Sequence, residues 1–281
     1  MNARMFRRHL DIQYKTPEQI EKMRAAGLVV AEALAAMRDG VAPGVSTAKL
    51  DAIAGEVIRS AGATPSFYGY QGYPATICAS VNSQVVHAIP SPAQVLNDGD
   101  LISIDCGAVL DGWHGDAAIT VEVGHVAPEL RRLAAAAEES LWAGLAAAAR
   151  GARSGQGRLT DISRAVETAV RKAGRYGIVD GYGGHGIGTE MHQDPHVLNH
   201  GRPGKGPRLV PGLALAVEPM ITLGSPRTVE LSDGWTVVTQ DGSVAAHVEH
   251  TVALLEDGAW VLTAFDGGRS RLGDLITSRQ P

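Results

Sequence analysis

The chain has few cysteines, no surplus of positive charge and no long apolar run. Cys78 and Cys106 are its only cysteines, too few for a disulfide framework or a four-thiolate zinc cluster, so a reducing cytoplasm is expected. The formal net charge of −5 argues against a protein that binds nucleic-acid phosphates. No run of 18 apolar residues occurs, so no membrane-spanning helix is expected. A 44% hydrophobic content favours an ordered globular protein.

The N-terminal residues are predicted to form an extension that precedes the folded domain. Met1–Tyr14 carries three arginines but no apolar segment follows, so no secretory signal is expected here and a surface segment is predicted. A targeting or docking role is the alternative. Thr16-Pro17-Glu18-Gln19 has a helix cap, a proline at the first helical position and a capping-box glutamine. We therefore divide the chain into an N-terminal extension, residues 1–15, and one domain, residues 16–281.

Helical segments alternate with antiparallel-type hairpins, the pattern of an α+β domain. Turn pairs such as Pro211-Gly212 and Asp241-Gly242 divide a strand-rich C-terminal third. Gly151–Gly157 is expected to be a loop after an alanine-rich helix. The predicted helices run from about residue 16 to 38, 47 to 60, 128 to 149 and 160 to 173.

One hairpin permits a geometric argument. If Asp111-Gly112 is a two-residue turn, Asp105 lies opposite Ala118 and Gly107 lies opposite Asp116. Paired residues and residues two apart share a face, so Asp105 and Asp116 point the same way. Two carboxylates in an apolar setting repel each other unless a cation lies between them. The pair therefore indicates a divalent metal, the alternative being that one aspartate is exposed on an edge strand.

Three further residues extend this candidate metal site. Glu218 and Glu249 lie within strand-forming sequence, and His185 is flanked by glycines that permit close approach of backbone and ligand. Four carboxylates and one imidazole suit Mn, Fe(II), Co or Zn better than a thiolate-binding metal. Two ions bridged by carboxylates are a recurrent arrangement in aminopeptidases and phosphatases.

The candidate ligands lie in or beside short stretches of distinctive sequence. These stretches are Gly69–Pro74, Ser80–Asn82, His87–Pro90, Ser103–Asp105, Asp111–Asp116, Gly184–Gly188, Met191-His192, Glu218–Met220 and Glu249–Thr251. With them, the chain resembles the type I methionine aminopeptidases, which have the pita-bread fold, from about Thr16 to Phe265. Only 32 residues separate His185 from Glu218, whereas type II members carry a long insertion there.

The resemblance implies a dinuclear centre. Asp116 and Glu249 would bridge two divalent ions, Asp105 would complete one site, and His185 with Glu218 would complete the other. Water activated by the ions would attack the first peptide bond and release an initiator methionine that precedes a small residue. Asn82 and Ser243 match positions that help to bind a monovalent cation.

The resemblance also implies catalytic and substrate-binding residues. Glu218 would shuttle a proton, His192 would stabilise the oxyanion, and His87 would contact the peptide nitrogen. Phe67 stands where the family often has cysteine, and Met191 where it often has phenylalanine, so pocket width is open. The implied substrate-binding residues are Phe67, Tyr70, Tyr73, Cys78, His87, Met191, His192 and Trp235. The remaining histidines considered, His196, His200, His247 and His250, are expected to be structural.

The expected partner is the N-terminal methionine of a nascent polypeptide. A transient ribosome contact is expected without a zinc-finger or proline-rich docking module, together with a monomeric state and no nucleic-acid or membrane binding. Two alternatives stay open. One is an Xaa-Pro peptidase on the same fold, and the other is a non-catalytic pita-bread protein that binds protein or RNA.

Overall fold

The computed structural model describes residues 10–277, and within that range no helix is long and apolar enough to cross a membrane. The helices are α1 Pro17–Gly40, α2 Thr47–Ser60, α3 Pro128–Ser154, α4 Leu159–Ala173 and α5 Arg269–Leu272, with 3-10 turns at Tyr70–Gly72 and Gly273–Leu275. The strands are β1 Thr64–Pro65, β2 Ile77–Val81, β3 Gln84–Val86, β4 Leu101–Leu110, β5 Trp113–Glu122, β6 Gly177–Ile178, β7 Gly184–Gly186, β8 Gln193–Val197, β9 Ala214–Val217, β10 Met220–Thr222, β11 Thr228–Glu230, β12 Val237–Thr239, β13 Ala245–His247, β14 Glu249–Leu255 and β15 Gly258–Val261.

An antiparallel sheet organises the described part of the chain. Its strands run in the order β1-β4-β5-β14-β9-β7-β8, with β2 also paired to β4 and β15 to β14. Two three-stranded sheets, β13-β10-β6 and β11-β12-β3, lie beside it. Helices and antiparallel strands thus form the expected α+β architecture.

The long helices cover one face of the large sheet. Helices α1 and α2 bury residues such as Met37 and Ile58 with Ile104 of β4 in one apolar cluster. Helices α3 and α4 bury Leu145 and Val166 against β9, β14 and β15 in a second cluster. The opposite face of the sheet is therefore available for polar chemistry.

The start of α1 agrees with its predicted cap. The side chain of Thr16 accepts a hydrogen bond from the backbone N–H of Gln19, and the side chain of Gln19 accepts one from the backbone N–H of Thr16. Each bond satisfies a backbone donor that the first helical turn leaves unpaired. The helix ends at Gly40, two residues beyond its predicted end.

The predicted loop at Gly151–Gly157 is wrong in its first part, because α3 continues through Ser154. Gly151 is a packing residue and not a helix breaker. A Cβ atom there would lie 2.6 Å from Cδ1 of Leu209 and 3.1 Å from Cα of Gly157. A side chain at position 151 would therefore require Leu209 and the loop after α3 to move away from the helix. The helix ends at Gly155, which has the left-handed φ of 66°.

The β4–β5 hairpin has the predicted register. Asp105 pairs with Ala118 and Gly107 pairs with Asp116. Asp111 and Gly112 form the turn with φ values of 50° and 78°, the left-handed pair that a type I′ turn requires. The two aspartates consequently share a face, as the spacing predicts.

Residues 10–15, here called the N-terminal strap, contact the loop between β7 and β8, the start of β8 and the turn before β9. The backbone N–H of Asp11 donates to Asp194 (3.2 Å), and that of Lys15 donates to the carbonyl of Gly212 (2.7 Å). Burial lowers the pKa of Lys15 to about 8, and its Nζ donates to the side chain of Gln193. The rest of the predicted extension, residues 1–9, lies outside the described residues.

Candidate metal centre

One row of paired residues crosses four strands and sets the floor of the site. Cys78 on β2 pairs with Asp105 on β4, Asp105 pairs with Ala118 on β5, and Ala118 pairs with Glu249 on β14. Directly paired residues in a sheet point to the same face. Asp116 lies two residues before Ala118 and joins them. Three carboxylates therefore leave the sheet on the side away from the helices.

The other half of the sheet adds the remaining predicted ligands to the same face. His185 on β7 pairs with Ala216 on β9, which pairs with Thr251 on β14. Thr251 lies two residues after Glu249, and Glu218 lies two residues after Ala216 at the end of its strand. A Cβ atom at position 184 would collide with the carbonyl oxygen of Ala216, so glycine before His185 lets β7 approach β9.

Four of these side chains, together with His247, form two overlapping groups, and Asp105 belongs to neither. Nε2 of His185 lies 3.9 Å from Oδ2 of Asp116 and 3.7 Å from Oε1 of Glu218. Asp116, His185 and Glu249 form one group with ligand atoms within 4.8 Å of one another. Glu218, His247 and Glu249 form a second group, whose ligand atoms also lie within 4.8 Å of one another. Because Glu249 belongs to both groups, the geometry suits two ions that share a bridging carboxylate.

Unsatisfied buried atoms show that the centre suits cations. Within residues 10–277, Oδ1 of Asp105, Oδ1 of Asp116 and Oε1 of Glu249 are buried without a hydrogen-bond partner. A buried carboxylate oxygen without a partner is strongly unfavourable, and a divalent ion is a partner for several at once. The oxygen-rich donor set with an imidazole fits divalent transition metals.

The electrostatics of the carboxylates lead to the same conclusion. Burial, together with the charge of Glu218, raises the pKa of Asp105 to about 7. Burial and the neighbouring carboxylates also raise the pKa values of Asp116 and Glu249 well above their ordinary values. Glu218 differs: burial opposes its ionisation, but contact with His247 and the nearby histidines hold its pKa below the ordinary value. Glu218 is thus the carboxyl group of this centre whose ionised form the surrounding histidines favour.

A cavity of about 280 Å³ opens above the carboxylates. It is lined by all of the residues predicted for the site, namely Phe67, Tyr70, Tyr73, Cys78, His87, Asp105, Asp116, His185, Met191, His192, Glu218, Trp235 and Glu249. Tyr182, His196 and Met220 also line it and were not predicted as site residues. His196 was expected to be structural. His196 lines the cavity because β8, which carries it, pairs antiparallel with β7, and the sequence does not reveal that pairing.

Two further predicted histidines project into this cavity. Nδ1 of His192 lies 2.8 Å from the hydroxyl of Tyr70, and its ring lies 4.4 Å from that of His185. Burial and the neighbouring histidines lower the pKa of His192 to about 4. His87 has a left-handed φ of 60° and packs edge-on against Tyr182 and Trp235. Burial lowers its pKa as well. Both imidazoles are therefore neutral near pH 7.

Apolar side chains close the end of the cavity beside the carboxylates. Phe67, Tyr73, Cys78 and Met191 form a buried cluster, with the indole of Trp235 packed edge-on at 5.0 Å from the ring of Tyr73. The hydroxyl of Tyr73 donates to backbone carbonyls, so it presents no free polar group. The end of the cavity therefore suits an unbranched apolar side chain.

His247, which was expected to be structural, lies in the site beside Glu218 and Glu249. Its side chain is 1% exposed, and its Nε2 lies 3.4 Å from Oε2 of Glu218. Burial lowers the pKa of His247, but contact with Glu218 and the charges of Asp105 and Glu218 together raise it above the ordinary value. The available sequence signal is alternation, since His247 lies two residues before Glu249 and shares its face.

The residues matched to a monovalent-cation site use their side chains elsewhere. Asn82 bonds Asp100 and the backbone N–H of Leu101, and the hydroxyl of Ser243 donates to Asp241.

The N-terminal strap holds the loop that carries Met191 and His192. The Oε1 atom of Gln13 accepts from the backbone N–H of Thr189 (3.2 Å) and from Nε2 of Gln193 (3.0 Å), and Nε2 of Gln13 donates to the Thr189 hydroxyl (3.0 Å). These bonds clasp the loop on both sides of Met191 and His192.

Replacing Gln13 with alanine should therefore loosen this loop. We expect the free energy of unfolding to fall by about 1–2 kcal/mol, because backbone and side-chain donors lose their partner. We also expect a lower kcat/KM for a methionyl peptide. Urea denaturation and steady-state kinetics measure the two effects. Gln156, an exposed glutamine after α3, provides the control. If Gln13→Ala behaves like Gln156→Ala, the strap does not support the site.

Comparison with known proteins gives a consistent result. Residues 21–256 match the model of metallopeptidase family M24. Methionine aminopeptidase 1 of Mycobacterium tuberculosis is 57% identical over 90% of this chain and 95% of its own length. The methionine aminopeptidase of Clostridium acetobutylicum is 49% identical over 89% of this chain and 97% of its own length.

Solved structures separate close relatives from distant ones. The methionine aminopeptidase structure from Thermotoga maritima superposes with a TM-score of 0.85 at 40% identity, covering 90% of this chain and 99% of that one. Prolidase from Pyrococcus furiosus has a TM-score of 0.67 at 20% identity, and only 65% of that chain is covered, so it shares the fold alone. The pita-bread expectation is thus confirmed, and the chain belongs to metallopeptidase family M24, in the branch of the methionine aminopeptidases.

Proposed function

We propose that the protein is a metal-dependent methionyl aminopeptidase that removes the initiator methionine from polypeptides whose second residue is small. The observation that carries this proposal is the placement of four buried carboxylates directly beside an apolar cavity end. A substrate side chain in that end brings the first peptide bond to the carboxylates. Relatives named methionine aminopeptidase support the same reaction.

The five predicted ligands would hold two divalent ions. Asp116 and Glu249 would bridge them, with Asp105 completing one site and His185 and Glu218 completing the other. When bound, the ions supply a nucleophile from water and neutralise charge that develops on the carbonyl oxygen. Mn, Fe(II), Co and Zn all fit these donors.

The protein's own groups divide the proton transfers. Glu218 accepts the proton of the attacking water and returns it to the leaving amine. Its lowered pKa keeps it ionised and so able to accept, and it lies beside His185. His192 is neutral, and if its Nδ1 accepts from the Tyr70 hydroxyl, its Nε2–H is free to donate to the oxyanion. His87 contacts the peptide nitrogen beyond the scissile bond.

The apolar cluster determines selection of the first residue. A thioether packs well against aromatic rings and sulfur, which Tyr73, Trp235, Cys78 and Met191 provide. Phe67 replaces the cysteine that is frequent in the family and keeps the wall apolar, so methionine selectivity is retained.

The setting of the enzyme follows from the same proposal. Its substrate is the N-terminal methionine of a nascent chain, met in the cytoplasm during a transient ribosome contact. Both cysteines are free thiols, which suits that compartment. We propose a monomer with residues 1–15 as an N-terminal extension and residues 16–281 as the catalytic domain, and a monovalent cation near Asn82 and Ser243.

Peptide cleavage tests this proposal directly. The protein, stripped of metal and reloaded in turn with Co, Mn, Fe(II) or Zn, should release methionine from Met-Ala-Ser and leave Ala-Pro-Ala intact. Mass spectrometry of the products measures both reactions. Cleavage of Ala-Pro-Ala in place of Met-Ala-Ser would instead assign an Xaa-Pro peptidase. Absence of cleavage of both peptides with every ion would leave only the non-catalytic alternative, which the complete ligand set already disfavours.

A further inference from the structure

His247 is the buried polar group of the metal centre that the proposed mechanism does not use. Its ring is buried. Within residues 10–277, its Nε2 makes no hydrogen bond of good geometry. The same is true of one carboxylate oxygen in each of the predicted ligands Asp105, Asp116 and Glu249. Nε2 points to the same group of donors as those oxygens, since it lies within 4.8 Å of ligand atoms of Glu218 and Glu249. A purely structural histidine in the core would be expected to have its ring nitrogens satisfied by partners outside the site.

The backbone around His247 is held rigidly against Glu218. His247 pairs with Met220 across β13 and β10, two residues after Glu218. Its backbone N–H donates to the hydroxyls of Ser103 (3.0 Å) and Thr120 (3.2 Å), and its carbonyl accepts from Thr120 (2.7 Å). The imidazole therefore has little freedom to move away from the glutamate.

The two oxygens of Glu218 face different imidazoles. Oε1 lies 3.7 Å from Nε2 of His185, a predicted ligand, whereas Oε2 lies 3.4 Å from Nε2 of His247. A carboxylate that binds an ion through one oxygen keeps acceptor capacity on the other, and ligating carboxylates are commonly oriented by such a second hydrogen bond. The spacing of His247 suits that second partner.

We propose that His247 is a positioning residue of Glu218: its Nε2–H donates to Oε2 and keeps Oε1 turned to His185. This proposal rests on the proposed function of Glu218 as ligand and proton carrier. The ring acts as a donor and not as a ligand, so the number of ions bound per chain does not depend on it.

Substitutions of His247 in the full-length protein test this role. Glutamine places its amide nitrogen as many bonds from Cα as Nε2 of histidine, so His247→Gln retains a donor. Asparagine is one bond shorter and His247→Leu has no donor. We expect His247→Leu and His247→Asn to weaken Co²⁺ binding and to lower kcat by about 10–100-fold with little change in KM. His247→Gln should restore most of both.

Calorimetric titration with Co²⁺ and elemental analysis provide readouts that do not need turnover. Every variant should still bind as many ions per chain at saturation as the unmodified protein. His250→Gln is the matched control, because His250 is buried nearby but bonds Thr263 and packs against Trp142. Its Co²⁺ affinity should stay close to that of the unmodified protein.

Each remaining outcome overturns the positioning role. Unchanged Co²⁺ affinity and kcat in His247→Leu or His247→Asn would make the ring structural. Loss of one ion in His247→Gln would make it a ligand, and failure of His247→Gln to restore kcat would show that the imidazole itself is needed. If His247→Leu does not fold, His247→Asn supplies the same comparison. A failure of the unmodified protein to release methionine would count against the proposed function, while the Co²⁺ affinities would still decide the role of His247.

Discussion

Replacing Glu218 with glutamine should lower kcat for Met-Ala-Ser by about 10²–10⁴-fold, the range that a positioned acid–base group contributes. Glutamine has nearly the same size, so the β9 strand end and its contact with Asn199 remain intact. Its amide can neither accept the proton of the attacking water nor return one to the leaving amine. The loss should therefore fall on kcat, through lost proton transfer and weaker ion binding, and leave the cavity for the methionine side chain unchanged.

The control for this substitution is Glu129→Gln, which changes an exposed glutamate in the first turn of α3. Single-turnover methionine release and thermal unfolding should be measured on both variants. Glu129→Gln should match the unmodified enzyme in each. A Glu218→Gln enzyme with nearly full kcat would remove Glu218 from proton transfer and would require another base.

Removing the ions should abolish methionine release and change how stability depends on pH. Burial raises the pKa of Asp105 from its ordinary 3.8 to about 7 in the metal-free protein. Because the folded pKa lies above the unfolded value, the stabilising contribution is complete below about pH 4 and is lost as pH rises through 7. For this one group the loss is on the order of 4 kcal/mol. Asp116 and Glu249 shift in the same direction.

Urea denaturation of chelator-treated protein between pH 4 and 8 measures this effect. Burial lowers the pKa of His192 and of His250 to about 4. Over part of this pH range these two histidines therefore make the free energy of unfolding rise with pH, which opposes the effect of the carboxyl groups. Metal-free Asp105→Asn carries the same histidines, so the difference between the two proteins reports the charge of Asp105, including its effect on the pKa of Asp116 and of Glu249. We expect the unmodified protein to lose stability relative to Asp105→Asn as pH rises, and saturating Mn²⁺ to remove that loss. An unchanged difference across this range would mean that the metal-free carboxylates are solvated.

Local rules were sufficient to predict the β4–β5 hairpin residue by residue. An Asp-Gly turn sets the pairing, and strict alternation then places Asp105 and Asp116 on one face. The other ligands could be identified only as acids and a histidine in strand-like sequence. Their convergence depends on the pairing of β14 with β5 and β9, which brings together strands that are far apart in the chain.

Three features were not identified from the sequence, for physical reasons. Gly151 looks like a helix end, yet the close approach of Gly157 makes it a packing position inside α3. His247 looks like a core histidine, because the partner that gives it a role, Glu218, lies on another strand. The contacts of Gln13 with Thr189 span 176 residues and depend on how the finished fold places the N-terminal strap. Each depends on contacts between distant parts of the chain, which local patterns do not encode.

The division of the sheet into a helix-covered face and a ligand-bearing face also limits how this chain can change in length during evolution. Within β4, Asp105 alternates with Ile104 and Cys106, which are buried on the helix side. Deleting or inserting one codon inside this strand would reverse the alternation, burying the carboxylate among the helices and leaving a thiol or an isoleucine at the metal centre. Gains and losses of residues should therefore accumulate in the connections between strands, whereas β4, β5 and β14 keep their lengths.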